Sequence, residues 1–109
     1  MIIVRTTLHA LPQNQREVLQ TLASLVGSVE KEPGCISYGS FCDINDRNRF
    51  ILFGEWESRK DLDHHIQSYR FGVLLGTKTL LSEPPRIQIH TISQTQGMEV
   101  IHAARKNKA

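Results

Sequence analysis

His65 is the side chain in this sequence best suited to acid–base chemistry. It follows a helix start at Ser58 and belongs to an apolar stripe at helical spacing, which predicts a position between a helix and a sheet; the stripe comprises Leu62, His65, Ile66 and Tyr69. An imidazole titrates near neutral pH, so His65 is a candidate general acid or base. Asp61, one helical turn earlier, is predicted to orient the ring. The alternative interpretation is a core histidine bonded to a backbone carbonyl.

Aromatic side chains on the neighbouring predicted elements suit a flat, apolar substrate. Trp56 is the only tryptophan and ends a predicted strand, where it could form an aromatic wall with one N–H donor. The other predicted cavity-lining residues are Tyr38, Phe41, Tyr69 and Phe71. For each of these aromatic residues, packing in the core is the alternative.

The elements that must position these residues follow from hydrophobic periodicity and turn residues. The pattern predicts a strand over Ile2 to His9, a helix that starts at Asn14 and stops at Pro33-Gly34, and a hairpin whose turn is 45–48. A helix from Ser58, a further helical segment around Phe71 and a strand from Arg86 to Ser93 complete the order β-α-β-β-α-β. This order predicts an α+β, ferredoxin-like domain over residues 1–93, with helices on one face of an antiparallel sheet.

Both faces of this sheet are predicted to be buried. Ile2-Ile3-Val4 and Phe50-Ile51-Leu52-Phe53 run through two strands without alternating with polar residues. The helices can cover only one face, so the other face is expected to pack against a second copy of the chain. The sequence therefore predicts a homodimer through the sheet face.

Composition excludes several classes of partner. The chain has 109 residues, 39% of them hydrophobic and 22% charged, which favours one globular domain over disorder. A net charge of +2 is too small to indicate nucleic acid, and no apolar run approaches the roughly 20 residues that span a bilayer. No nucleotide-binding, P-loop, redox-pair or metal-ligand motif occurs, so flavin, nicotinamide and metal are not indicated.

The two cysteines indicate a reducing compartment. Cys35 and Cys42 lie on one predicted strand, roughly 23 Å apart at about 3.3 Å per residue, which is too far for a disulfide. The first residues also lack the charged-then-apolar order of a signal peptide. We therefore expect a cytoplasmic protein.

Residues 94–109 form a C-terminal extension beyond the predicted fourth strand. Val100 and Ile101 could let the segment from Met98 to Ala104 pair with the sheet edge of a partner subunit, or the segment could be a frayed tail. Its end is basic, with Arg105, Lys106 and Lys108.

The block from Glu32 to Phe71 resembles the antibiotic-biosynthesis-monooxygenase family of dimeric α+β barrels. The resemblance covers nearly all of the first 93 residues and depends on three motifs, followed by His65 and Phe71: Pro33-Gly34-Cys35, Asn48-Arg49-Phe50 and Trp56-Glu57-Ser58. It implies a dimeric barrel and a cofactor-independent, quinol-monooxygenase-like activity. In that reading His65 is the base, Asp61 its orienter, Trp56 the wall, and the substrate an electron-rich aromatic such as a hydroquinone or phenol, oxidised with O₂.

Two departures from family patterns bear on the chemistry. The polyketide-oxidising branch has an Asn four residues before the tryptophan, where this chain has Leu52, so an anthrone-type mechanism does not carry over. The haem-degrading branch has an iron-ligating His at the position of Leu75, and the Asn of its first strand falls near Thr6 or Thr7. An isomerase or hydrolase acting on a small signalling metabolite, and a non-enzymatic dimeric barrel that binds a small ligand, remain the alternatives.

Overall fold

Four strands form one antiparallel sheet in the computed structural model, which describes residues 1–107. Along the chain the elements are β1 (Ile2–His9), α1 (Gln15–Val29), β2 (Cys35–Asp43), β3 (Asp46–Trp56), α2 (Arg59–Ile66), α3 (Tyr69–Gly76), β4 (Arg86–Thr91) and α4 (Met98–Lys106), with short 3-10 turns at Pro12–Asn14 and Thr77–Leu80. The strand order is β2-β3-β1-β4. This confirms the predicted ferredoxin-like α+β fold.

One face of the sheet, the covered face, carries the core. From Phe50 onward every second residue of β3 is buried, and Phe50, Leu52 and Trp56 are only 1–3% exposed. Helix α1 packs its apolar stripe over them, with Val18, Leu22, Leu25 and Val29 buried. The alternation therefore assigns the intervening residues of β3 to the opposite side.

That opposite side, the open face, has a mixed composition. Ile51 and Phe53 on β3 lie opposite Thr7 and Arg5 on β1, and all of these side chains point away from the helices. Phe41, opposite Ile51 on the edge strand β2, is 60% exposed. The open face is therefore apolar in part, as the sequence predicts, but it also carries charged side chains.

The central hairpin is tighter than the sequence predicts. Strand β3 begins at Asp46, so only Ile44 and Asn45 separate it from β2, and the predicted turn residues 46–48 belong to the strand. The backbone N–H of Asn45 donates to Asp43 Oδ1 at 2.7 Å, and Arg49 Nη1 donates to Asp43 Oδ2 at 3.1 Å. These contacts lower the pKa of Asp43, the Asn45 hydrogen bond most.

Helix α1 begins where the sequence predicts, but one detail of its start differs. Asn14 makes no side-chain capping bond to α1; it ends a 3-10 turn that leads directly into the helix. The segment from Met98 to Ala104, which the sequence leaves as a pairing strand or a frayed tail, is helical and forms α4. Within residues 1–107, no helix is long and apolar enough to cross a bilayer.

Candidate functional site

His65 lies on α2 within an aromatic enclosure. Its ring stacks on that of Trp56, with the ring centroids 4.7 Å apart and the planes 24° from parallel. The rings of Tyr38 and Phe71 approach at steep angles, with centroid distances of 5.9 and 5.4 Å. Only 4% of His65 is exposed. Three of the predicted site residues therefore surround His65: Trp56, Tyr38 and Phe71.

Glu32, which lies in the turn after α1, contacts the imidazole of His65. Its Oε1 lies 3.0 Å from His65 Nδ1, and its side chain is 13% exposed. An ionised carboxylate only accepts hydrogen bonds, so Nδ1 is the donor and Nε2 of the neutral ring is left without a proton. The arrangement is that of a histidine base with an orienting carboxylate.

The Pro33-Gly34 turn brings Glu32 to this position. Gly34 has a φ of 78°, which an L side chain rarely adopts. A Cβ at Gly34 would lie 2.1 Å from Asp61 Cγ, so only glycine lets the turn dock against the start of α2. The backbone carbonyl of Gly34 also accepts from the N–H of Glu57 at 2.9 Å. The turn thus joins the end of α1 to the start of α2.

The predicted role of Asp61 as the orienter of His65 is wrong. Its backbone N–H donates to Ser58 Oγ at 3.2 Å, and its Oδ2 accepts from the same hydroxyl at 2.8 Å. Asp61 therefore stabilises the first turn of α2 and contacts Gly34, whereas Glu32 contacts the imidazole. Spacing of (i, i+4) brings side chains near each other on a helix, but the carboxylate of Asp61 is bound by the Ser58 hydroxyl and not by His65.

Glu32 is the functional residue that sequence reasoning missed. It lies 33 positions from His65 along the chain, so no helical or strand spacing relates the two. The available signal is the Pro-Gly pair directly after it, because a glycine in a left-handed turn marks a close approach of chain segments. A carboxylate beside such a turn is a candidate partner for a histidine on the next helix.

The second oxygen of Glu32 has no hydrogen-bond partner among the described residues. Oε2 is buried, and the nearest cation is Arg70, whose Nη1 lies 3.9 Å away. The Arg70 side chain is 47% exposed. A positive charge at this distance stabilises the carboxylate but does not donate a hydrogen bond to Oε2. The carboxylate therefore keeps one free acceptor inside the site.

Tyr38 forms one wall of the site and is itself 8% exposed. Burial, together with the charge of Glu32, raises its pKa to about 12. Gly54 makes room for the ring, since a Cβ there would lie 3.0 Å from the Tyr38 ring and 3.1 Å from Trp56 Nε1. An open concavity of about 480 Å³ lies along β2, lined by Tyr38 together with the open-face residues Gly39, Phe41 and Phe53.

Two predicted substrate-binding residues do not join this cluster. Tyr69 opens α3 and is 87% exposed, because Gln67 and Ser68 interrupt the helix and rotate Tyr69 off the stripe that carries His65. Phe41 lies on the open face, opposite Ile51, while His65 packs against the covered face. Within residues 1–107, no three His, Cys, Asp or Glu side chains converge as a metal site requires.

The comparisons with known proteins agree with this architecture. A sequence model of the antibiotic biosynthesis monooxygenase family matches residues 1–73, about two thirds of the chain. The chain belongs to this family. It is 31% identical to an uncharacterized protein of Synechocystis sp. over 98 residues, which cover 89% of this chain and 67% of that relative.

Solved structures share the fold at lower identity. A crystal structure of an antibiotic biosynthesis monooxygenase superposes with a TM-score of 0.79 and 23% identity, covering 86% of this chain and all of the other. Rv0793 from Mycobacterium tuberculosis superposes with a TM-score of 0.80 and 20% identity, covering 88% and 98% of the two chains. At these identities the likeness establishes the fold of the family.

The structure shows what occupies the two positions where the sequence departs from family patterns. Leu52 is 1% exposed in the core of the covered face, so it packs against apolar neighbours. Leu75 is 45% exposed on α3 and points outward. Neither side chain can donate a hydrogen bond or ligate iron, so the polar groups of this site are those of His65, Glu32, Trp56 and Tyr38.

Proposed function

We propose that this protein is a cofactor-independent monooxygenase that oxidises an electron-rich aromatic small molecule of the hydroquinone or phenol type with O₂. Membership of the antibiotic biosynthesis monooxygenase family supports an oxygenase. The observation that carries the proposal is the buried His65, held by Glu32 at 3.0 Å and stacked on Trp56.

The substrate itself supplies the redox chemistry. Removal of a phenolic proton by His65 Nε2 raises the electron density of the ring, which then reduces O₂. One oxygen atom enters at a ring carbon and the other leaves as water, so a hydroquinone becomes a hydroxyquinone and supplies all four electrons. The protein needs a base, an orienting carboxylate and an apolar enclosure that strengthens both.

Each residue of the cluster has a role in this proposal. Glu32 fixes the tautomer of His65 and stabilises the imidazolium that forms after proton transfer. Trp56 offers a flat surface and one N–H, and Phe71 closes the other edge of the imidazole. Substrate access to the buried imidazole would require one of the surrounding rings, such as Tyr38, to turn aside.

The proposal includes a homodimer through the open face. Proteins of this family are often dimeric and typically bind small ligands. The partly exposed Ile51 and Phe53, and the exposed Phe41, give this face an apolar region that a second copy would cover. The free thiols of Cys35 and Cys42 support a reducing compartment such as the cytoplasm.

O₂ consumption tests the proposal. The purified, metal-free protein is assayed against a panel of hydroquinones, naphthols and anthrones, with His65→Ala as the test variant. His64→Ala is the matched control, because it removes the adjacent, exposed histidine of the same helix. We expect uptake with at least one compound, abolished by His65→Ala and retained by His64→Ala, with both variants folded. Equal uptake by the two variants would remove His65 from the mechanism.

The near-complete burial of His65 favours one other function, a non-enzymatic dimeric barrel that binds a small ligand. A base must touch its substrate, and the imidazole is 4% exposed behind Tyr38 and Phe71. The two functions differ in one measurement. Aromatic ligands that raise the melting temperature without consuming O₂ would indicate a binding protein.

A further inference from the structure

Three guanidinium groups converge at one end of the open face, well away from His65. Arg5 on β1, Arg86 on β4 and Arg49 on β3 line a single open concavity of about 260 Å³. The strand register accounts for the convergence: Arg5 lies opposite Gln88, and Arg86 lies opposite Thr7, two residues further along β1. Such diagonal neighbours are about 7–8 Å apart at the backbone, within reach of long side chains.

Two of these three cations have no counter-ion within the described chain. Arg49 is paired with Asp43 at 3.1 Å, but Arg5 and Arg86 form no ion pair within residues 1–107. The remaining cationic candidate, His9, lies 3.3 Å from Glu83, the only carboxylate that lines the concavity. The concavity therefore holds more positive than negative charge.

The lining is built to donate hydrogen bonds. Besides the guanidiniums it contains the Thr7 hydroxyl and the Gln88 amide. Arginine presents a planar fork of N–H groups that matches the oxygens of a phosphate or a carboxylate. Thr7 is 8% exposed at the floor of the concavity, whereas Arg5 and Arg86 are exposed at its rim.

We propose that Arg5, Arg86 and Arg49 form a binding site for a small anion that carries several oxygens, of the phosphate or pyrophosphate class. The site lies on the side of the sheet opposite His65, so its occupancy is separate from the proposed oxidation. The apolar region of the open face, around Phe41 and Phe53, is a neighbouring region of the same surface. An anion here would neutralise charge that a packed dimer could not bury uncompensated.

Calorimetric titration of the whole protein with inorganic pyrophosphate, at constant ionic strength, tests the site. We expect saturable binding by the wild-type chain, weakened about tenfold or more by Arg5→Gln and by Arg86→Gln, since each loses a charge-assisted hydrogen bond. Arg16→Gln is the matched control, because it removes the same charge from the exposed side of α1 and should leave binding unchanged. Circular dichroism verifies that each variant is folded.

Two other results would overturn the proposal. Absence of binding by the wild type would mean that the concavity is not a pyrophosphate site, and an equal loss in all three variants would mean that pyrophosphate responds only to net charge. If the wild type does not bind pyrophosphate and Arg5→Gln weakens self-association in sedimentation experiments, the counter-ion is a carboxylate of a second copy. Neither result bears on O₂ uptake, so this inference and the proposed function fail independently.

Discussion

The two faces of the sheet differ in burial, although the same strands form both. On the covered face Leu52 is 1% exposed beneath α1, whereas Phe41 on the open face is 60% exposed. Adjacent residues of β3 alternate between these two environments. The covered face therefore reaches full burial within one chain, while the open face has apolar residues that this chain does not cover.

The difference also separates two kinds of polar group. On the covered face the buried polar pair of His65 and Glu32 is in direct contact, with one oxygen of Glu32 left without a hydrogen bond among the described residues. On the open face Ser37 donates a hydrogen bond to Glu55, but Arg5 has no ion pair among the described residues. Buried polar groups are costly unless partnered, so the His65–Glu32 contact offsets that cost on the covered face, whereas Arg5 on the open face is exposed to solvent.

Leu52→Ala should have the largest effect on stability. The substitution leaves a cavity in the core of the covered face, which we expect to lower the free energy of unfolding by about 3 kcal/mol in urea denaturation. Ile51→Ala is the neighbouring control on the open face and should cost markedly less at protein concentrations where the chain is monomeric. Equal losses at the two positions would show that the open face is as well packed as the covered one.

Ile51→Lys should act on assembly more than on the fold. If a second copy covers the open face, a charge at Ile51 should weaken the dimer about a hundredfold, roughly 2–3 kcal/mol, because the charge would have to be buried. Analytical ultracentrifugation measures this dissociation. Leu19→Lys makes the same change at a half-exposed position of α1 and should leave assembly unchanged. A dimer equally stable in both variants would contradict the proposed interface.

Local signals predicted most of the fold, because they act over a few residues. The periodicity of α1, the Pro33-Gly34 stop and the Ser58 start each depend on contacts that the surrounding sequence specifies. The Ser58 cap formed as expected, with its hydroxyl accepting from the Asp61 N–H. The order of elements then leaves few ways to build an antiparallel sheet, which is why the ferredoxin-like topology could be predicted.

The site was less predictable, because its key contact is long-range. His65, Trp56, Tyr38 and Phe71 could be proposed from strand and helix patterns, but the partner of His65 could not. Glu32 reaches it only because the Gly34 turn docks on α2. Faces of strands were similarly ambiguous: the apolar run in β3 does not reveal that β1 places Arg5 opposite Phe53. Tertiary packing decides both features.

Tyr38 makes the stability of the covered face sensitive to alkaline pH. Its pKa is raised from 10.0 to about 12, so the unfolded chain loses the phenolic proton first as the pH rises. The contribution of Tyr38 to the free energy of unfolding is fully present below pH 10. It is lost as the pH rises through 12, a change on the order of 2 kcal/mol. Tyr38→Phe should show a smaller loss of stability between pH 10 and 12 in chemical denaturation.

Tyr69→Phe is the control for this experiment, because it removes the other phenolic hydroxyl from a ring that is 87% exposed. The wild-type pH dependence should persist in this variant. If Tyr38→Phe and the wild type lose stability in parallel, the alkaline transition belongs to other groups, and the Tyr38 hydroxyl is better solvated than its burial indicates.

Ser58→Ala should have the smallest effect, about 1 kcal/mol in the free energy of unfolding, because it removes the N-cap of α2. The effect should nevertheless reach the site, since Asp61 then loses both of its contacts with Ser58 and its packing against Gly34 loosens. Amide exchange should accelerate at Glu57, whose N–H bonds to Gly34. Ser24→Ala on exposed α1 should change neither quantity. If exchange at Glu57 is unaffected in Ser58→Ala, the Gly34 turn holds Glu32 against His65 without help from the helix cap.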